Sequence, residues 1–164
     1  MAGALHSGYN GQAFSPQGDK GRFVLPPNFR KAVKASSEGR VLCLAKHDRW
    51  TCLTGFGLSR KIELDAELDR EENQALALGQ HYDRDLHAIS KFGFNELPFD
   101  DSGRFTMPDH LAELGKIGDQ LYFQGAGRFF TIWNPAELQR MGNGLESAQV
   151  ACAKLVAEFE AKRN

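Results

Sequence analysis

The sequence predicts an α+β protein, mainly β with helices, that is built from two similar halves. The string DKGRFVLP at 19–26 returns as DSGRFTMP at 101–108, with five of eight aligned residues identical. β-favouring stretches follow each string in the same order, and a proline-free segment rich in helix formers separates the two copies. With 41% hydrophobic and 25% charged residues, the chain has the composition of a folded globular protein.

Each copy opens with an extended segment, a glycine-containing turn and a short β-favouring stretch that stops at a proline. Gly21 and Gly103 supply a positive φ without steric cost, so these segments predict a hairpin-like element in each half. Pro26 and Pro108 end the strands and suit the first turn of the short helices PNFRKAV and DHLAEL.

Two further strand-like runs complete each copy. They are RVLCLA and RWTCL in the first copy, and DQLYFQG and RFFTIW in the second, which aligns Arg49 with Arg128. The offset between the copies is 82 residues at the turns and 79 here, so three extra residues belong near the KASSEGR loop, where insertions are tolerated. We therefore place a first repeat at 8–60 and a second at 91–141.

The remaining segments predict helices. The connecting segment 61–90 has the composition of one long or two broken helices, and NPAEL at 134–138 carries a capping pattern. In the C-terminal region 142–164, a helix from about 145 to 162 places one apolar stripe on a single side, which indicates core or a subunit-packing surface. That stripe consists of Leu145, Ala148, Cys152, Leu155, Val156 and Phe159.

The charge of the chain is unevenly distributed. Residues 1–50 hold eight Lys or Arg against three acids, whereas the remainder holds twelve against eighteen, for a total of −1. Such asymmetry predicts an anionic partner for the first part, or else a solvated basic face. No apolar run reaches the length that spans a bilayer and the first twenty residues do not resemble a signal peptide, so we expect a cytosolic protein without membrane contact.

Nothing in the chain supports enzyme chemistry. The tract His81, Asp83, Asp85, His87 superficially resembles a metal site, but on a helix only alternate pairs share a face, which favours a solvated helix face. The three cysteines never form C-x-x-C, so they predict small buried residues rather than a disulfide framework or a zinc knuckle. Since no phosphate-binding or catalytic motif occurs, we expect no catalytic residue, no metal and no cofactor.

The repeated turn is the strongest functional signal. An arginine displayed from a rigid glycine turn has a planar fork suited to phosphate or to guanine O6 and N7. Because the turn occurs twice at equivalent positions, we expect Arg22 and Arg104 to be related by an approximate symmetry and to bind the same kind of acceptor. Alternatively, these arginines pair internally with Asp19, Asp100 or Asp101 to staple the turn, and the two roles are compatible.

The sequence resembles the MraZ family of bacterial transcriptional regulators, relatives of the AbrB and MazE swapped-hairpin DNA-binding proteins. The resemblance covers about 14–141 and rests on the doubled D-x-x-G-R turn with its strand and proline, the central helix, FGFNELPFDDSGR and GRFFTIWNPAEL. It implies two pseudo-symmetric repeats forming an AbrB-like swapped-hairpin double-split β-barrel. It also implies a homo-oligomeric ring that binds short G-rich direct repeats in double-stranded DNA upstream of its own division and cell-wall genes.

The resemblance further implies a regulator, commonly a repressor, located in the cytoplasm with the nucleoid. The DNA-binding residues carried over by position are Lys20, Gly21, Arg22, Asp100, Ser102, Gly103 and Arg104. The first motif departs from the pattern, because Gly18 stands where the second motif has Asp100. On charge alone, Arg30, Lys31 and Lys34 are candidate phosphate contacts or simply solvate their helix. The alternative function is an antitoxin-like or scaffold barrel whose turns contact another protein.

Overall fold

The computed structural model describes residues 8–163, which form a mixed α/β fold with two antiparallel sheets. The strands are β1 (Gln12–Pro16), β2 (Phe23–Val24), β3 (Val41–Lys46), β4 (Leu53–Phe56), β5 (Asn95–Pro98), β6 (Arg104–Phe105), β7 (Gln120–Gly125) and β8 (Phe130–Trp133). The helices are α1 (Pro27–Ser37), α2 (Lys61–Ala77), α3 (Arg84–Phe92), α4 (Asp109–Gly115), α5 (Pro135–Gln139) and α6 (Glu146–Arg163). Short 3₁₀ turns occupy Asp19–Gly21 and Leu58–Arg60.

The larger sheet has six strands in the order β1-β7-β8-β4-β3-β5, and β2 pairs with β6 in a separate two-stranded sheet. The predicted combination of β-sheet and helices is therefore confirmed. Within the described residues the edge strands β1 and β5 are not paired with each other, so this sheet is not a closed barrel.

The strands at the start of the two halves pair across the molecule. β1 pairs with β7, β5 pairs with β3, and β2 pairs with β6, where Phe23 lies opposite Phe105. Of the predicted hairpin-like element, the glycine turn is present and is closed by Gly18 N–H donating to Arg22 O, whereas the strands on its two sides pair with the other half. A two-residue strand forms only a marginal hairpin. Pairing with the other half instead buries both phenylalanines almost completely.

The two halves repeat the same element order with shifting offsets. β1 ends at Pro16 and β5 at Pro98, 82 residues apart, while β3 and β7 are offset by 79. α1 has 11 residues where α4 has 7, and the loop before β3 is one residue shorter than the loop before β7, so the three extra residues lengthen the end of α1. The insertion therefore falls within the predicted stretch 34–40, but as a helical turn rather than a longer loop.

The hairpin after β3 differs from the prediction. Its loop has six residues, 47–52, whereas the β7–β8 loop has four, 126–129. The strand predicted to begin at Arg49 begins at Leu53, so the alignment of Arg49 with Arg128 is wrong by two residues. The cause is local, because His47 Nδ1 accepts hydrogen bonds from the backbone N–H groups of Arg49 and Trp50 and turns the chain there.

The halves share one hydrophobic core, to which Phe23, Phe29, Phe105, Phe123 and Phe130 contribute. A second cluster lies under α6, whose predicted apolar stripe packs there through the buried residues Ala148 and Cys152. Cys43, Cys52 and Cys152 are all buried and unpaired to each other, as predicted. The stripe is therefore core-packing surface in this chain.

The connecting segment is two helices rather than one. α2 buries Leu64 and Leu68, whereas α3 buries no residue and is held to α2 by ion pairs such as Lys91 to Glu71 at 3.0 Å. Because these helices expose most of their surface, they contribute little to the core.

The tract from His81 to His87 spans the start of α3 and stabilises that helix. Asp83 caps α3 by accepting from Leu86 N–H, and His87 stacks on Tyr82 with ring centroids 4.4 Å apart. Among residues 8–163, no three His, Cys, Asp or Glu side chains are grouped to hold a metal ion. Nor does the described part of the chain contain a helix with the length and apolarity needed to cross a membrane.

Candidate nucleic-acid interface

The second glycine turn, residues 100–104, is organised by a single carboxylate. Asp100 Oδ1 accepts from the backbone N–H of Ser102 at 3.0 Å and of Arg104 at 2.9 Å. Its other oxygen, Oδ2, accepts from Arg104 Nε at 2.7 Å. The backbone N–H of Arg104, with its guanidinium and the Ser102 amide, holds the pKa of this carboxyl below its usual value. Asp100 thus stays ionised and orients Arg104.

This geometry leaves the end of the Arg104 side chain available. Only Nε is used by Asp100, and the side chain is 49% exposed. Because a guanidinium has five N–H donors in a fixed fork, its terminal nitrogens can donate two parallel hydrogen bonds to an external acceptor pair.

The first glycine turn, residues 18–22, shares two backbone hydrogen bonds with the second turn but lacks the carboxylate, and Arg22 N–H donates to Asp19 O instead. Gly18 N–H donates to Arg22 O at 2.7 Å, as Asp100 N–H donates to Arg104 O at 3.1 Å. Gly21 has φ +69° where Gly103 has φ +85°, which confirms the predicted positive φ at both glycines. In place of a carboxylate, Gln17 Nε2 donates to Gly21 O at 2.9 Å.

The two turns meet at Asp100. A terminal nitrogen of Arg22 lies 3.9 Å from Asp100 Oδ2, the oxygen that also binds Arg104 Nε. Pairing of β2 with β6 brings the turns to this distance. Arg22 is less exposed, at 28%, and its buried Nε has no hydrogen-bond partner within residues 8–163. The internal pairing considered from the sequence therefore exists, but both arginines use Asp100, and Asp101 pairs with Arg40 instead.

Arg30 supports the second turn from the first half of the chain. Its Nε donates to Leu25 O at 3.1 Å, and Leu25 N–H donates to Gly103 O at 2.7 Å. A Cβ added at Gly103 would lie 2.4 Å from Arg30 Nε and 2.7 Å from Leu25 O. Sequence reasoning missed this bracing role, because no motif links Arg30 to a turn in the other half.

The other candidate residues lie at the surface. Lys20 and Ser102 are exposed at the two turns, and Lys31 and Lys34 are exposed on α1. The exposed Arg104 and the partly exposed Arg22 thus lie beside one carboxylate, and we call them the arginine pair. Since its donors face solvent rather than a closed cavity, the arrangement suits binding an extended anionic surface.

Comparison with known proteins places this geometry in context. No protein-family model matches the chain. The chain is 31% identical over 141 residues to the "Transcriptional regulator MraZ" of Roseiflexus castenholzii, covering 86% of this chain and 91% of the relative. It is 34% identical over 123 residues to the protein of that name from Rhodospirillum rubrum, with 73% and 75% covered. A relative of the same name from Parvibaculum lavamentivorans is 33% identical over 117 residues, with 71% and 69% covered.

Proposed function

We propose that this chain, which belongs to the MraZ family of transcriptional regulators, binds double-stranded DNA sequence-specifically and reads base edges with its arginine pair. The observation that carries the proposal is the shared contact at Asp100, where one carboxylate orients Arg104 and lies beside Arg22. Arginine donates two hydrogen bonds to guanine O6 and N7, the commonest specific contact in the major groove. Two adjacent readers fit the short G-rich repeats that the family resemblance implies.

The surrounding cations would contact the DNA backbone. Lys20, Lys31 and Lys34 are exposed, and Arg30 commits only its Nε to Leu25, so all four can donate to phosphates. Gly21 is exposed and lets the backbone approach closely, and Ser102 offers a hydroxyl at the tip of its turn. Gly103 is buried and sets the conformation of the second turn. Phosphate contacts position a protein on the duplex and make its affinity depend on salt concentration.

The architecture belongs to the same proposal. We interpret the crossed pairing of β1 with β7, β3 with β5 and β2 with β6 as the swapped-hairpin double-split arrangement of two repeats, 8–60 and 91–141. The segment 61–90 connects them, and 142–164 adds the C-terminal helix. The last residue of that region lies outside the described residues.

Assembly into a homo-oligomeric ring is also part of the proposal. The exposed apolar side chains of Leu76, Leu78, Leu86 and Ile89 on or beside α2 and α3 support a contact between copies of the chain. A ring that presents several arginine pairs to successive repeats would gain affinity through avidity, since each pair alone makes few contacts.

The proposed biological role is regulation, as a repressor, of the chain's own division and cell-wall gene cluster, in the cytoplasm with the nucleoid. This role needs no enzyme activity and no cofactor. The alternative is a protein-binding barrel of the antitoxin or scaffold type, in which the arginine pair meets acidic side chains of another protein.

Fluorescence anisotropy separates these two functions. The wild type, Arg22→Ala, Arg104→Ala and the control Lys154→Ala, which removes an exposed cation on α6, would be titrated with the duplex upstream of the gene and with a scrambled duplex. Two salt concentrations would be used. Each arginine substitution should reduce the preference for the upstream duplex by about 1 to 3 kcal/mol, roughly five- to 150-fold, while the control retains it. Absence of any preference in the wild type would favour the protein-binding barrel.

A further inference from the structure

A polar pocket that shares no residue with the two turns lies between the β3–β4 loop, the β7–β8 loop and helices α2 and α3. It is a cavity of about 210 Å³, and its walls include His47, Lys46, Arg60, Glu67 and Phe129. This volume exceeds what one or two waters occupy. The pocket is therefore large enough for a small organic molecule.

His47, which lines this pocket, has one unused donor. The ring is only 6% exposed, stacks on Trp50 with centroids 4.6 Å apart, and accepts at Nδ1 from the backbone N–H groups of Arg49 and Trp50 at 3.1 Å. Asp48 Oδ1 also lies 3.3 Å from Nδ1. A protonated Nδ1 could not accept those two bonds, however, and burial lowers the pKa of His47. The ring is therefore neutral with its proton on Nε2, which has no partner within residues 8–163.

The lysine beside it also has a donor to spare. Lys46 Nζ donates to the carbonyl oxygens of His47 and Trp50, each at 2.7 Å. An ammonium has three donors, so one remains for a ligand. Lys46 and His47 thus offer two donors in the wall of one cavity.

Cations outnumber carboxylates around the pocket. Lys46, Arg49, Arg60 and Lys91 line it, together with only two carboxylates, Asp48 and Glu67. Arg60 and Lys91 are neutralised, since they pair with Glu67 at 2.8 and 3.5 Å and with Glu63 and Glu71 at 3.4 and 3.0 Å. Lys46 and Arg49 then remain against Asp48 alone, so the side of the pocket formed by the β3–β4 loop favours a negative ligand.

The apolar part of the pocket wall indicates which chemical group the rest of the ligand carries. Phe129 is partly exposed and lies under the Arg60 guanidinium, 5.4 Å from its ring centroid. An aromatic face of this kind packs against a planar or apolar group.

We propose that this pocket binds a small organic anion, in which a phosphate or carboxylate accepts from Lys46 and His47 and a planar group packs on Phe129. The proposal is independent of DNA reading. A ligand bound here contacts two loops and two helices at once, so it would stabilise the folded chain.

Isothermal titration calorimetry of the full chain with phenyl phosphate tests the proposal, with inorganic phosphate and phenol as partial probes. Phenyl phosphate should bind more tightly than either. Lys46→Met and His47→Asn should each weaken its binding about tenfold, since each removes one hydrogen bond to a charged group. The asparagine side chain keeps an acceptor for the two backbone amides of the turn.

Two control variants and one replacement variant make the outcome decisive. Lys154→Met, on exposed α6, and Arg104→Ala should bind phenyl phosphate like the wild type. If His47→Asn fails to fold, the surface substitution Arg49→Gln should still weaken binding severalfold. Absent binding, equal binding by all variants, or a loss in Arg104→Ala that matches the loss in Lys46→Met would overturn the proposal. The last result would place the phosphate on the arginine pair instead.

Discussion

The two glycine turns share a positive φ at the glycine and two backbone hydrogen bonds, but they differ at the residue before that glycine and in their side-chain support. Lys20 has a positive φ and Ser102 does not. In the second turn Asp100 accepts three hydrogen bonds from within the turn, and Gly103 is buried beneath Arg30 and Leu25. In the first turn Gly18 provides no carboxylate, and Gly21 is exposed. The repeated motif therefore keeps the glycine conformation in both copies, whereas the side-chain support is concentrated in the second copy.

This asymmetry makes the first turn depend on the second. Arg22 lies 3.9 Å from Asp100, a residue of the other half, and not beside a carboxylate of its own turn. The dependence is possible only because β2 pairs with β6. The arginine pair is consequently one unit with one shared carboxylate, although the sequence writes it as two separate motifs.

The largest expected difference between the turns is in tolerance of a Cβ atom. Gly103→Ala would place Cβ 2.7 Å from Leu25 O, a backbone atom, at φ +85°, and should destabilise the fold by about 3 kcal/mol. Gly21→Ala meets only the flexible Gln17 Nε2 at 3.3 Å, so its cost should be the left-handed conformation alone, about 1 kcal/mol. Urea denaturation of both variants measures the difference. Equal losses would show that the bracing of Gly103 contributes nothing.

Removing the shared charge should impair both arginines together. Asparagine in Asp100→Asn can still accept the two turn amides through its oxygen, but its NH₂ group opposes Arg104 Nε, donor to donor. The preference for upstream DNA should fall about three- to tenfold, less than a buried charge-assisted hydrogen bond contributes, because the Arg104 and Asp100 side chains are partly exposed to solvent. Anisotropy titrations check this result.

A neighbouring aspartate gives the matched control. Asp101→Asn removes a charge one position away, where the side chain is exposed and contacts Arg40 rather than the arginine pair. It should retain the DNA preference. If Asp100→Asn behaves like Asp101→Asn, the arginines do not need the shared carboxylate.

A smaller effect should follow from restoring the missing carboxylate in the first turn. Gly18 has φ −111°, which any residue adopts, and an added Cβ would make an ordinary 3.7 Å contact with Arg22 O. Gly18→Asp should therefore stabilise the chain by about 0.5 to 1 kcal/mol, through hydrogen bonds to the turn amides and a less flexible unfolded chain. Gly18→Ala, which shares only the second cause, is the control. Equal urea midpoints for the two would mean that the carboxylate finds no partner in this turn.

The features that depend on nearby residues or on composition were predicted correctly from the sequence. The glycine conformations, the insertion near 34–40 and the burial of the cysteines depend on neighbouring residues or on composition, and the structure confirms them. The start of β4 was predicted wrongly, because one buried histidine, His47, binds two backbone amides and extends the loop.

Contacts between the halves were beyond prediction from the residues alone. The brace of Arg30 on the second turn joins residues that no spacing rule relates. The pairing of β1 with β7 depends on the free energy of the whole core, to which both halves contribute, rather than on either strand's own pattern. Neither contact leaves a local signal in the sequence.

The smallest expected effect is on the acid stability of the two turns. Hydrogen bonds hold the pKa of Asp100 below its ordinary value of 3.8 in the folded chain. Its stabilising contribution is therefore complete above pH 3.8 and is lost as the pH falls through the lower folded value. Asp100→Asn has no such contribution to lose, so its melting temperature should fall slightly less than that of Asp101→Asn between pH 5 and about pH 3. Parallel melting curves of the two variants over this range would show that the carboxylate stabilises neither turn, and that its role is confined to orienting the arginines for DNA.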